Sequence, residues 1–318
     1  MLQGTDTTQE HLPVSGDERI ASIAAQAEQI WAAREDLRTT YRTISSPEFW
    51  IWLAWHGLEE YPALRDVWFR NPPPYLLERV AGAGASEMDF LRSGVVDWRR
   101  NLTLLREHGL RLEGSSLLEL GCGCGRMLRY FSRYVPSCMI TGADSDPEVV
   151  EWCRRELGFA AFETIPAEPP TRLSSGVYDA VLIPTLFEHL APASQRAWLT
   201  ESARVLRPGG LLVASFLGSH AVQRWIQGDS PSTAPTPAEL RAELPRLRAE
   251  GQLFFPSPPI ESSWEQNLAW AASLDTQHTG TTFLQPEFVA REWARAFTLL
   301  AHVEAPDGWQ DYAVLRRR

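Results

Sequence analysis

The stretch Leu117-Leu118-Glu119-Leu120-Gly121-Cys122-Gly123-Cys124-Gly125-Arg126-Met127, LLELGCGCGRM, decides the fold. It opens as a short apolar run of the kind that makes a buried strand, and it empties at once into glycines at alternate positions. Glycine permits the sharp turn, and it lets backbone approach a ligand that any side chain would obstruct. A dinucleotide loop beginning at Gly121 would want glycine at position 126, where Arg126 stands, so the G-x-G-x-G spacing points away from dinucleotides. About twenty residues further on, at the end of the next expected strand, comes Asp144, the distance at which an acid meets a ribose. Asp146 is already placed to cap the helix opening at Pro147, which leaves Asp144 for binding.

Outward from this point the pattern alternates. Strands are expected over 116–120, 138–143, 159–164, 178–183 and 211–217, with helices from Arg126, from Pro147 and over 192–206. Such alternation implies right-handed crossovers and a parallel sheet covered on both faces. Upstream, residues 1–18 read as a disordered leader and 19–110 as a helical cap. Within the cap, Ser46-Pro47-Glu48 announces a helix that is apolar all round, FWIWLAW (Phe49 to Trp55), and therefore buried or covering a pocket. Downstream, residues 111–318 form the core, with proline- and serine-rich sequence over about 218–282 read as a lid insertion. A helix from Pro286 and strand-like runs at 297–303 and 312–315, joined by EAPDGWQD, predict a closing hairpin.

Composition removes several functions. The 318 residues carry a formal net charge of −10 and show no basic stripe, which argues against nucleic acid. All 30 basic residues are arginines; without lysine there is neither a Walker-type phosphate loop nor Schiff-base chemistry. Four cysteines, Cys122, Cys124, Cys138 and Cys153, are too few for a disulfide framework and suit a reducing compartment. Cys122 and Cys124 lie between the loop glycines with no second ligand pair at zinc spacing, so no metal is expected. The polar N-terminus lacks a signal-peptide pattern and no apolar run approaches a membrane span, so a soluble, cytoplasmic protein is expected.

LELGCGCGR, ITGADSDPEVVEWC, YDAVLIPTLFEHL and ARVLRPGGLLVASF, in that order and spacing, resemble a class I methyltransferase over residues 111–217. The GCGCGR loop, FEHL and the terminal GWQDYAVLRR further resemble a bacterial branch often found beside glycan and natural-product genes. The resemblance implies an α/β, Rossmann-like seven-stranded sheet whose last hairpin is antiparallel. It implies S-adenosylmethionine as cofactor, with S-adenosylhomocysteine as product. Glu119, Gly121, Cys122, Gly123 and Gly125 would hold the methionine part, and Asp144 and Ser145 the ribose. Ile165 would lie on the adenine where relatives often carry Asp or Asn, and Pro184 would line the cofactor cleft after strand four. Arg126 would either neutralise the methionine carboxylate or anchor the loop.

His189, after strand four, stands at the sheet edge where ligands of open α/β folds bind, and is the candidate general base; Glu188 beside it is a weaker one. Tyr41, Trp50, Trp55, His56 and Trp264 are candidates for the acceptor pocket, because aromatic walls suit a planar acceptor and a sulfonium charge. The expected acceptor is a small molecule, natural product or glycosyl group, methylated on oxygen. Alternatives are nitrogen methylation, a cofactor repurposed for cyclisation or decarboxylation, and a pseudo-enzyme that binds a partner protein.

Overall fold

The computed structural model describes residues 16–44, 46–68, 70–82, 84–132, 135, 139–229, 235–256, 279–306 and 308–318. Trp264 and Cys138 lie outside the described residues. So do residues 1–15 of the expected leader; the rest of it is not leader, since helix α1 (Gly16–Ala33) begins at Gly16.

After α1 come α2 (Glu35–Thr40), α3 (Pro47–Trp52), a π-helical turn at Leu53–Gly57, α4 (Leu58–Glu60), α5 (Pro62–Val67), α6 (Pro74–Ala81) and the long α7 (Glu87–Glu107). Ser86 caps α7, its side chain accepting from Asp89 N. The predicted alternation then follows: β1 (Leu117–Leu120), α8 (Leu128–Phe131), β2 (Ile140–Asp144), α9 (Pro147–Glu156), β3 (Ala161–Thr164), β4 (Tyr178–Ile183), α10 (Pro192–Val205) and β5 (Leu206–Phe216). The last part holds α11 (Ser219–Ile226), α12 (Pro237–Glu250), β6 (Gln252–Pro256), β7 (Gly280–Leu284), α13 (Pro286–Glu292), β8 (Phe297–Val303) and β9 (Asp311–Arg317).

Seven strands form one sheet in the order β3-β2-β1-β4-β5-β9-β8. β1 to β5 pair in parallel, and β9 is antiparallel to both its neighbours. The order reverses between β1 and β4. At that switch point the crevice outside the carboxyl ends of the strands is where open α/β sheets bind ligands. Leu120, Asp144, Ile183 and Phe216 end their strands on this edge, and Asp311, paired with Phe216, begins β9 there.

One sequence expectation needs correction. The helix read from Arg126 is only the short α8, because residues 121–127 are wound in turns through Gly121, Gly123 and Gly125, all three at positive φ in the left-handed region. Where it is described, the 218–282 stretch read as a lid insertion carries regular elements: Thr236-Pro237-Ala238-Glu239 is a capping box with proline at the first turn of α12, Pro245 lies inside that helix, and β6 pairs antiparallel with β7 in a separate two-stranded sheet.

One apolar cluster runs from Ile23, Phe49 and Trp98 through Leu117 and Phe131 to Val314, so the N-terminal helices and one face of the sheet share a core. Leu118, Val181, Phe187 and Trp293 belong to a cluster on the other face. A third, smaller cluster of Leu217, Val222, Trp225, Leu240, Leu253 and Phe283 holds α11, α12 and the β6–β7 hairpin together.

Candidate cofactor and acceptor site

The glycine loop lies against α7. A Cβ on Gly94 would clash with the backbone oxygen of Arg126, so only glycine lets the helix approach this closely. From the same helix Asp97 takes Arg126 in an ion pair of 2.5 Å and Arg100 in one of 2.9 Å. Arg126 is thus paired with Asp97 while its charge also acts on Glu119. Beneath the loop the thiols of Cys122 and Cys153 both contact the Gly123 carbonyl at 3.4 Å. Burial pushes both thiols well above their ordinary pKa, which makes them packed donors rather than nucleophiles.

Glu119 ends up 4% exposed, and its Oε2 has no hydrogen-bond partner. Burial drives its pKa well above the usual carboxylate range, with nearby Arg126 pulling it back. An orphaned buried carboxylate oxygen is costly, and a cationic ligand group relieves it. Asp144 closes β2 with Oδ2 accepting from Gly123 N at 2.8 Å and Oδ1 from Asp146 N at 3.0 Å. Two backbone bonds occupy about half of the lone-pair positions of a carboxylate, leaving capacity for a vicinal diol. Burial raises the Asp144 pKa, and the backbone donors oppose it. Ile165 is buried beside it, its N donating to Asp144 O at 3.0 Å, while Ser145 stays exposed.

On the acceptor side, β4 is followed by the buried Pro184 and then by Thr185, a non-glycine residue at positive φ whose N donates to Ser215 Oγ at 2.9 Å. Such a conformation persists only where neighbours enforce it, and it favours functional edges. His189 keeps open surface, yet crowding by the surrounding protein depresses its pKa, and a hydrogen bond ties it to the Gly280 backbone. The crowding favours the neutral imidazole, the form a base requires, and the Gly280 bond opposes it. Glu188 is buried and accepts from Gln310 Nε2. From there a polar chain continues through Tyr312 OH, which is 3.4 Å from Gln310 Oε1, to Arg100 at 2.8 Å, then Asp97 and Arg126.

The N-terminal aromatics do not converge on this edge. Trp50 is 2% exposed, stacks on Trp68 and donates Nε1 to Ile44 O at 2.6 Å. With Trp68 and Tyr130 it lines a small hollow beside α1 and α8, away from the carboxyl ends of the strands. Trp55 is on the surface under the guanidinium of Arg92, 4.9 Å from the ring centroid; His56 is exposed, and Tyr41 packs edge-on against Phe49. Sequence reasoning gave no site role to Asp97, Arg100, Gln310 and Tyr312; Gln310 and Tyr312 fall in the terminal GWQDYAVLRR stretch, but the four meet only through the sheet order. Among the described residues no group of three or more His, Cys, Asp or Glu is placed to hold a metal ion, and no helix is long and apolar enough to cross a membrane.

Residues 117–210 match a family model described as a methyltransferase domain. The chain is 34% identical over 128 residues to the human thiol S-methyltransferase TMT1B, an alignment covering 37% of this chain and 50% of that protein. It is 36% identical over 100 residues to a fatty-acid O-methyltransferase of Mycolicibacterium smegmatis, covering 31% of this chain and 36% of that protein. The chain thus spans half or less of the length of these relatives. Among solved structures, the N-methyltransferase NodS of Bradyrhizobium japonicum with bound S-adenosylhomocysteine overlaps 76% of this chain and 96% of its own, at 14% identity and a TM-score of 0.44. Residues 117–210, the part that matches the methyltransferase-domain model, hold β1 to β4 and the start of β5 of the seven-stranded sheet.

Proposed function

We propose that the protein is a cytoplasmic S-adenosylmethionine-dependent methyltransferase acting on a small-molecule, natural-product or glycosyl acceptor, with oxygen as the acceptor atom. The observation that carries the cofactor reading is the orphaned Glu119 Oε2 beside the left-handed glycine loop, with Asp144 at the next strand end. Glu119 would take the ammonium of the methionine part, Gly121 to Gly125 would let the backbone approach it, Asp144 would accept from the ribose hydroxyls, and Ile165 would pack against the adenine. Pro184, Cys122 and Ser145 complete the proposed lining, with Arg126 fixing the loop. Fatty-acid and ubiquinone-biosynthesis O-methyltransferases among the relatives favour oxygen.

When bound, the cofactor supplies an electrophilic methyl group on a positively charged sulfur. This chain's residues supply proximity, alignment and exclusion of water. His189, held neutral, accepts the proton lost by a hydroxyl acceptor, and the buried Glu188, fixed by Gln310, orients acceptor donors at the same edge. Calorimetry with S-adenosylmethionine, together with methyl transfer from labelled cofactor to a panel of phenols, fatty acids, thiols and amines, tests the reading. Micromolar binding that weakens at least tenfold in Asp144→Ala is expected. Equal affinity in both proteins removes the ribose assignment, and binding without any methylated product favours a repurposed cofactor.

A further inference from the structure

Residues 70–82 lie along α9 from its last turn to its first. Arg70 pairs with Glu156 at the end of that helix at 2.8 Å. Tyr75 OH donates to Glu148 at 2.8 Å near its start, and Arg79 takes both Asp146 at 2.8 Å and Glu148 at 2.9 Å. These contacts are not equivalent: Arg70 is 62% exposed, whereas the side chains of Arg79 and Asp146 are 2% and 6% exposed. Screened pairs contribute little, so the buried Arg79 pair is the latch.

What the latch holds is α6, and α6 lies on the glycine loop. A Cβ on Gly123 would sit 3.3 Å from Val80 Cγ1, so Val80 covers the residue whose N–H is bound by Asp144. Asp146, gripped by Arg79, donates its own N–H to the other Asp144 oxygen. The segment therefore bridges the two strand ends between which the ribose would lie. Its flanks are built to turn: Asn71-Pro72-Pro73 is a stiff extended lead, and Gly82 and Gly84, both at positive φ, have open space around them.

Resting on the reading of this edge as a cofactor site, we propose that α6 is a gate in the wall of that site, with Val80 facing the cofactor and Arg79 as the positioning residue that keeps the gate shut. Cofactor exchange then requires the Arg79 pairs to break and α6 to swing about the prolines and glycines. A group that guards a path both ways sets the rates of entry and exit together.

The test is the association and dissociation rate of S-adenosylhomocysteine on the full chain, by surface plasmon resonance, for the wild type, Arg79→Met, Arg79→Lys and Tyr75→Phe. Arg79→Met should raise both rates at least fivefold, and Tyr75→Phe should raise both by less. Arg79→Lys should fall between wild type and methionine, because a single ammonium does not reproduce a fork that spans two carboxylates. Bound S-adenosylhomocysteine should slow amide hydrogen exchange over residues 74–82 in the wild type and not in Arg79→Met. Unchanged rates, or a faster dissociation alone, would reduce Arg79 to ordinary support and overturn the gate. A wild type that binds no S-adenosylhomocysteine fails earlier and takes the cofactor reading with it.

Discussion

Asp97 and Arg126 meet at 2.5 Å, and through this pair helix α7 holds the glycine loop that follows β1. Asp97 is the hub, because it also balances Arg100, whose guanidinium lies 4.9 Å from the ring centroid of Tyr312. Replacing it takes a carboxylate away from two largely buried guanidiniums. Asp97→Ala should lower unfolding stability by about 3 kcal/mol, the range seen when one partner of a buried pair is removed. Urea unfolding followed by circular dichroism measures this, and a loss below about 1 kcal/mol would show the arginines to be solvated instead.

Gly94 makes a second prediction about the same contact. An alanine there meets the Arg126 carbonyl, a backbone atom that cannot rotate away. Gly94→Ala should cost about 1–3 kcal/mol, the usual range for overpacking, and should weaken cofactor binding because the loop is displaced with the helix. Gly109→Ala is the control, since nothing lies within 4 Å of its position and only its positive φ is strained. It should leave cofactor affinity untouched in calorimetry.

The Glu201 carboxylate accepts from Arg204 Nη2 at 2.6 Å, Arg204 Nε at 2.8 Å and Thr171 N at 2.9 Å. The Arg204 bonds foremost hold its pKa down to about 2, against an ordinary value of 4.5. A carboxylate whose folded pKa lies below its unfolded one stabilises fully above the unfolded value, and that contribution drains away as pH falls from about 4.5 towards 2. Glu201→Gln should therefore be less stable than wild type at pH 7 and converge with it near pH 2. Parallel stability curves across that range would remove the assignment.

His189 yields a kinetic prediction. Because its pKa is depressed, the neutral base persists below pH 6.5, and the acid limb of kcat/KM should lie on the acidic side of that value. His189→Gln should lower kcat by about 10²–10⁴-fold, the usual contribution of a general base. Its affinity for S-adenosylmethionine should stay within a factor of two. A variant that keeps both its rate and its acid limb would move the proton elsewhere.

How far the sequence foretold this depended on range. The glycine loop, Asp144 and the strand alternation are local signals, and β1 to β5 fall within a few residues of where periodicity put them. The antiparallel closing hairpin at β8 and β9 is likewise legible from its two apolar runs. The polar chain from Arg126 to Glu188 was not. It joins α7, β9 and the segment after β4, whose residues are distant in the chain and carry unremarkable polar side chains. Trp50 was half legible for a related reason: an aromatic run signals burial, but only packing shows that its ring stacks on Trp68. In the 219–256 stretch, counting prolines hid α12, whose first turn holds Pro237, and α11, which carries no proline.

The three apolar clusters divide the molecule unequally. The N-terminal helices share a continuous interior with the sheet, so altering them propagates into the strands beneath the cofactor loop. The α11, α12 and β6–β7 unit keeps its own small interior around Trp225 and Phe283. That unit is nonetheless stitched to the edge beneath it: the Gly280 backbone is bound to His189, and Thr282 Oγ1 donates to Leu190 O at 2.7 Å. A change that shifts β7 inside the small interior is therefore felt directly in the segment that follows β4.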